Sequence, residues 1–411
     1  MDDLGLYLSI PFCRAKCTFC NFASDAFAPG RLPAYIDRLC TEIATSRTRS
    51  ADLSADLSAP VETVYFGGGT PSLLAPADIR RIFSSLRDQF AFVPDPEITV
   101  ECAPGQLSPA TLEEFQRQGV NRLSFGVQSF VDHESAAIGR LHTAKQCLSD
   151  IELVRSAGLL NLSLDLIAGL PHQTEISWRK SLETAIGAGV PHLSIYMLEV
   201  DDGSRLGREV LSDGTRYGAP STPTDDQTAA FYEIACDLLN LSGIAQYEIS
   251  NFARPGFHSL HNLNYWRRKP YLGLGLDAHS MLRTSSGEIR FSNTDDLDAY
   301  LLIPSSSRGE ANSLKLFTSV CTPTLSVDRL TPEEVLEETL FLGLRINDGL
   351  NLGDLRAAFG IAALDQLTPA LTEAASDGLL YIDQSTIRLT ALGRVLSNEV
   401  FSRLLLPTPA T

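Results

Sequence analysis

Six short apolar runs, each separated from the next by a stretch of helical character, constrain the fold of this chain more than any other feature. The runs are "LYLSI" (6–10), "TVYFG" (63–67), "EITVEC" (97–102), "RLSFGV" (122–127), "LSLDLIAG" (162–169) and "HLSIYML" (192–198). Helical periodicity fills 32–49, 76–89, 108–118, 143–157 and 175–189, and in the last of these Ile176, Leu182 and Ile186 form an apolar stripe that stops at glycine. Repeated βα units need crossover connections, so they build a parallel sheet covered by helices. Six strands are too few for a closed eight-stranded barrel. The expected fold is therefore α/β, an open or partial (β/α)6 barrel, with its chemistry at the C-terminal strand ends and the loops after them.

The rest of the chain reads differently. Residues 203–224, "GSRLGREVLSDGTRYGAPSTPT", are rich in Gly, Ser and Pro and read as a long loop. "ADLSADLSA" (51–59) is a small tandem repeat, read as a surface connection, and "IPSSSRGEANS" (303–313) as a linker. Beyond 330, "TPEEVLEETLFLGLR" carries a Thr cap with Glu three residues later. "LLYIDQSTIRLTALGRVL" alternates and then turns helical, as a winged-helix-like module would. The expected division is a barrel over 1–225, an extension over 226–302 and a C-terminal α+β domain over 315–411.

A formal net charge of −17 in 411 residues argues against nucleic acid or an anionic membrane as the main partner. The arginines around Arg267 read as a solvated face. No run approaches the ~20 apolar residues of a membrane span, and "MDDLGLYLSI" leads straight into a strand, so the expected address is the cytoplasm. Cys40, Cys102, Cys147, Cys236 and Cys321 are scattered among apolar neighbours and read as free thiols.

The other three cysteines are close together. "CRAKCTFCNF" places Cys13, Cys17 and Cys20 at C-x3-C-x2-C spacing directly after the first strand. A structural zinc site closes with four Cys or His ligands, and the nearest histidine in sequence is His133. A four-iron cluster can instead be held by three thiolates, leaving one iron open. Zinc and cluster both remain readings of the spacing alone.

The C-x3-C-x2-C motif after the first strand resembles the radical S-adenosylmethionine (SAM) superfamily, whose partial (β/α)6 barrel agrees with the alternation above. The resemblance implies a 4Fe-4S cluster on Cys13, Cys17 and Cys20, with SAM on the open iron and Phe19 packing near the adenine. Later landmarks occur in the expected order: Tyr7 in "YLSIPFC", "FGGGTPS" (66–72), Glu101 in "TVECAP", Gln128 in "FGVQSF", Arg140 in "IGRLHTA" and Asp165 in "LSLDLIAG". They are similar to the coproporphyrinogen III oxidase-like subgroup, nearly end to end. That likeness assigns Tyr7, Gly68 and Glu101 to the cluster-bound SAM, and Gly69, Thr70, Gln128, Arg140 and Asp165 to a second SAM.

Two features divide the subgroup. The oxygen-independent coproporphyrinogen III oxidases carry a fourth cysteine where this chain has Phe22, and the HemW-type haem chaperones carry an aromatic there. "HNLNYW" (261–266) resembles the H-N-x-x-Y-W signature of the second branch, which implies haem binding by His261, Asn262, Tyr265 and Trp266. An imidazole is a strong axial ligand, and the two aromatics offer flat faces to a porphyrin. His258 is a nearby substitute. The resemblance thus implies a haem chaperone serving apo-haemoproteins such as respiratory enzymes, without coproporphyrinogen oxidase activity. The alternatives are that oxidase, or a zinc-stabilised interaction protein. Some relatives dimerise on cluster binding, and the likeness admits a homodimer here. Two departures stand out: "YLGLGLDAHS" (271–280) has Leu276-Asp277 where proline–glycine is usual, and Glu199 adds a charge near the second SAM position.

Overall fold

The computed structural model describes residues 2–28, 30–302 and 327–405. Six strands, β1 (Leu4–Ile10), β2 (Val61–Gly68), β3 (Phe92–Cys102), β4 (Arg122–Gln128), β5 (Leu162–Ala168) and β6 (His192–Met197), pair in parallel and in chain order. The connecting helices are α1 (Arg31–Asp52), α2 (Pro76–Gln89), α3 (Pro109–Arg117), then α4 (Asp132–Ala137) with α5 (Ala144–Ser156), and α6 (Glu175–Gly187). Sequential order without reversal, with crossovers of one hand, lays every helix on the same face. The other face is left to curl inward, which is a partial barrel.

The strand alternation divides those faces. Leu6, Leu8, Val64, Phe66, Ile98, Val100, Leu123, Phe125, Leu164, Leu166, Leu193 and Ile195 belong to one buried core with Ile36, Leu39, Phe83 and Trp178 of the helices. The residues between them are polar or aromatic and meet across the interior. Thr63 bonds His261, Tyr65 bonds Glu101, Ser124 bonds Asp165, and Ser163 bonds His192. The strands follow period 2 rather than the two-sided apolar pattern of a sheet buried on both faces.

Beyond the barrel the sheet is extended at both edges. β7 (Ala245–Gln246) and β8 (Asn251–Ala253) join β6 antiparallel, after α7 (Arg205–Leu211) and α8 (Asp225–Leu241). After α9 (Leu260–Trp266), β9 (Tyr271–Leu274) pairs parallel with β1, and β10 (His279–Thr284), β11 (Gly287–Ser292) and β12 (Val327–Arg329) continue from it antiparallel. A second core gathers Leu336, Leu340, Leu355, Leu367, Leu371, Ile387 and Leu389 around a three-stranded antiparallel sheet. Its first helix, Pro332–Gly343, starts at the Thr331–Glu334 capping box read from the sequence.

Several expectations are corrected. Residues 203–224 are not a plain loop: Ser204 caps α7, whose Leu206 is buried, and a 3₁₀ segment follows at Arg216–Ser221. The repeat at 51–59 is partly core, since Ala55 and Leu57 are buried and only its first residues continue α1. In α6 the buried face is Trp178, Ser181, Leu182 and Ala185. Ile176 is 83% exposed, because at 100° per residue it lies across the helix from Trp178. Arg268 is not on a solvated face; it is buried in ion pairs with Glu288 and Glu338 at 2.5 and 2.9 Å. Cys40, Cys102, Cys147 and Cys236 are free, while Cys321 and 303–313 lie outside the described residues.

Candidate functional site

The loop after β1 carries the three cysteines to the C-terminal mouth of the barrel. It is held by backbone hydrogen bonds from Cys13 to Asp25, Thr18 to Ile138 and Leu206 to Thr18. The glycine segment after β2 packs directly against its base: Gly69 N donates to Ile10 O at 2.9 Å and Thr70 N to Phe12 O at 2.8 Å. A Cβ on Gly69 would lie 2.7–2.8 Å from Ile10 O and from the Phe12 N and O, so only glycine permits this approach. Gly68 has a φ of +100°, where glycine costs least.

Each thiol meets a polar neighbour. Thr70 Oγ1 lies 3.7 Å from Cys13 Sγ, Arg140 Nη1 3.4 Å from Cys17 Sγ, and Ser24 Oγ 3.9 Å from Cys20 Sγ. Burial pushes the Cys13 and Cys20 thiols upward, against hydrogen bonds that favour the thiolate. Among the described residues no three His, Cys, Asp or Glu side chains converge tightly enough to share one metal ion.

The thiols border a cavity of about 400 Å3 lined also by Phe19, Gly68, Gly69, Thr70, Glu101, Gln128, Arg140 and Asp165. The structure thus brings together every SAM-assigned residue of the sequence reading except Tyr7. Each strand end contributes, as a barrel with its site at that face requires. Burial and the nearby Asp165 charge raise the Glu101 carboxyl to about 7, against a bond from Tyr65 OH at 2.9 Å. Burial raises Asp165 to about 6 despite bonds from Ser194 and Ser124. Two buried carboxylates at a cavity wall, Asp165 partly offset by Arg122 and Arg140, suit a cationic ligand with hydroxyl groups. Gln128 adopts a φ of +67° at the end of β4, and Arg140 donates to Gly126 O. Glu199 also lines this cavity. Tyr65, Ser124, Ser194 and Tyr196 were missed; their signal was the polar residue at every second strand position.

Tyr7 faces elsewhere. A second cavity of about 430 Å3 is lined by Tyr7, Tyr265, Trp266, Tyr271, Leu276, Met281 and Leu342, with Arg268, Asp277, His279 and Arg290 at its polar parts. Phe22, Ser24 and Gly68 line both cavities, so the two abut at the cysteine loop. Phe22 is 63% exposed. Asp277 takes a φ of +55°, which explains why a glycine is usual there; aspartate tolerates the left-handed region and adds a carboxylate.

The "HNLNYW" stretch forms α9, capped by Ser259 and closing the N-terminal end of the barrel. His261, read from the sequence as an axial ligand, is not among the residues lining either cavity. It is 2% exposed, with Nδ1 2.8 Å from Thr63 Oγ1, Nε2 2.9 Å from Tyr265 OH, and its backbone N–H on Glu97. Burial holds its imidazole down to about 3. Asn262 donates its backbone N–H to the Ser259 cap. His258 stacks on Tyr247, with centroids 4.3 Å apart, outside the second cavity.

Fold and site together define a radical SAM protein, and residues 7–185 match the radical SAM superfamily while 330–396 match the HemN C-terminal domain. The chain is 33% identical over 403 residues to the heme chaperone HemW of Bacillus subtilis (strain 168), covering 97% of this chain and 98% of that one. It is 31% identical over 401 residues to the heme chaperone HemW of Lactococcus lactis subsp. lactis (strain IL1403), covering 97% of each. The chain belongs to the HemW heme chaperone family. Coproporphyrinogen III oxidase (HemN) from Escherichia coli superposes with a TM-score of 0.78 over 98% of this chain and 90% of that one; at 24% identity the likeness concerns fold.

Proposed function

We propose that this protein is a haem chaperone that holds a 4Fe-4S cluster through Cys13, Cys17 and Cys20, binds SAM beside it and carries haem to apo-haemoproteins, respiratory enzymes among them. The observation that carries the reading is the pair of abutting cavities: one bordered by three thiols and the buried carboxylates Glu101 and Asp165, the other walled by Tyr265, Trp266, Tyr271 and Met281. When bound, such a cluster supplies a single electron at its open iron. The protein's own part is to orient. Thr70 and Arg140 donate towards Cys13 and Cys17, which steadies the thiolates. Glu101 and Asp165 accept from ribose hydroxyls or offset a sulfonium charge, and Phe19, packed with Ile138, Ile167 and Leu170, gives an apolar face for the base. Gln128 lines the same wall for a second SAM.

Phe22 supports chaperoning over decarboxylation of coproporphyrinogen III, because it puts an apolar ring where the oxidases resemble one another in a cysteine. The acidic chain, in which no helix among the described residues is long and apolar enough to cross a membrane, is assigned to the cytoplasm, and a homodimer is the assembly to test. The deciding experiment is anaerobic. Reconstituted protein with haem should transfer it to an apo-haemoprotein, and with coproporphyrinogen III, SAM and a reductant it should form no protoporphyrinogen. Turnover of the porphyrinogen would overturn the reading.

A further inference from the structure

We propose that His279, not His261, is the imidazole that binds haem iron, with the porphyrin seated in the cavity beside the cysteine loop. The inference rests on the haem reading above and names the residue that makes the iron bond. An axial ligand must offer a free ring nitrogen at a space wide enough for a flat macrocycle. His261 fails on both counts, since Thr63 and Tyr265 occupy its two nitrogens inside the barrel floor. His279 meets both. Among the residues lining the cavity of about 430 Å3 it is the one imidazole, and its side chain is 68% exposed. Among the described residues no hydrogen bond holds its ring, and the carboxylate paired with it is that of Asp277, Oδ1 3.9 Å from Nε2.

The strand geometry sets the rest of the site. His279 and Met281 lie two apart on β10 and therefore share a face. Met281 is paired with Tyr271 across β9 and with Arg290 across β11, so the imidazole stands at the rim of a wall made of Tyr271, Met281 and Arg290. Tyr265 of α9 packs edge-on against Tyr271, ring centroids 4.6 Å apart, and with Trp266 extends that wall. Trp266 has an indole Nε1 that is buried without a hydrogen-bond partner among the described residues. That donor gives a porphyrin carboxylate a hydrogen bond, whereas Arg268 and Arg290 are already held by Glu288 and Glu338. The role of the "HNLNYW" histidine becomes that of a positioning residue, which fixes the Tyr265 ring through its hydroxyl.

The test is a hemin titration of the full-length, cluster-loaded protein and its variants, followed by absorption and electron paramagnetic resonance. Wild type should bind hemin with a nitrogen-ligated ferric signal. His279→Ala should lose that signal and bind hemin at least tenfold more weakly, and added free imidazole should restore the spectrum. The cluster absorption should not change, since the His279 side chain is exposed and makes no hydrogen bond to a thiol or to Thr70, Arg140 or Ser24, the thiols' partners among the described residues. His261→Gln should keep the nitrogen-ligated spectrum. A wild-type spectrum from His279→Ala would overturn the ligand assignment while leaving haem binding intact. If wild type binds no hemin, the haem reading itself falls, and this inference with it.

Discussion

Replacing Gly69 by alanine tests whether the glycine segment after β2 holds the cysteine loop in place. The added Cβ would sit 2.7 Å from Ile10 O and 2.8 Å from Phe12 N and O, all backbone atoms. To reach ordinary contact at 3.4 Å, each must retreat by roughly 0.6–0.7 Å. Retreat stretches the bonds from Gly69 N and Thr70 N to the same strand end, at 2.9 and 2.8 Å, and carries Thr70 Oγ1 away from Cys13 Sγ. Overpacking of this kind costs about 1–3 kcal/mol, and each weakened hydrogen bond adds up to about 1 kcal/mol. The expected total is about 2–4 kcal/mol, with iron content after reconstitution falling in parallel. Gly187→Ala is the matched control: nothing lies within 4 Å of its Cβ, and in α6 alanine should gain roughly 0.8–1 kcal/mol. Urea unfolding under anaerobic conditions, with iron counted on the same samples, measures both. A Gly69→Ala protein as stable and as iron-rich as the control would refute the reasoning.

Cys13→Ala, Cys17→Ala and Cys20→Ala should each abolish the visible absorption of the cluster, whereas Cys102→Ala and Cys147→Ala should leave it; equal iron loss in both sets would place the ligands elsewhere. Burial keeps the His261 imidazole at about 3 against ~6.5 in the unfolded chain, so the unfolded state takes the proton first and stability falls as pH drops from about 6.5 towards 3. His142, held at about 4, acts in the same direction, while the raised Glu101 and Asp165 act in the opposite one. His261→Gln should therefore flatten the acid limb of stability against pH by up to ~1.4 kcal/mol per unit; an unchanged slope counts against a neutral buried imidazole. Glu338 bonds both Arg268 and Arg290, at 2.9 Å and at 2.5 and 2.7 Å. Glu338→Ala takes the carboxylate from Arg290 and leaves Arg268 with Glu288 alone, and should cost about 3–5 kcal/mol, read as a lowered thermal midpoint; a loss below about 1 kcal/mol would show the network to be solvent-screened.

The amino-acid sequence alone determined the barrel and its cysteine loop, because both are local. Period-2 strands alternating with period-3.6 helices admit few topologies, and three thiols inside one eight-residue stretch after a strand are neighbours along the chain already. The Thr331–Glu334 capping box was legible for the same reason. What only the tertiary structure decided was where the side chains far apart in sequence point. Tyr7 looks like a neighbour of Glu101 in order along the barrel, yet it turns into the adjoining cavity. His261 reads as a free imidazole beside two aromatics, but Thr63 and Tyr265 enclose it, 198 and 4 residues away. Arg268 reads as one arginine of a surface pair until Glu288 and Glu338 arrive from β11 and from the helix Pro332–Gly343. A side chain's availability depends on desolvation and on partners brought by other elements, and those come from packing rather than from spacing along the chain.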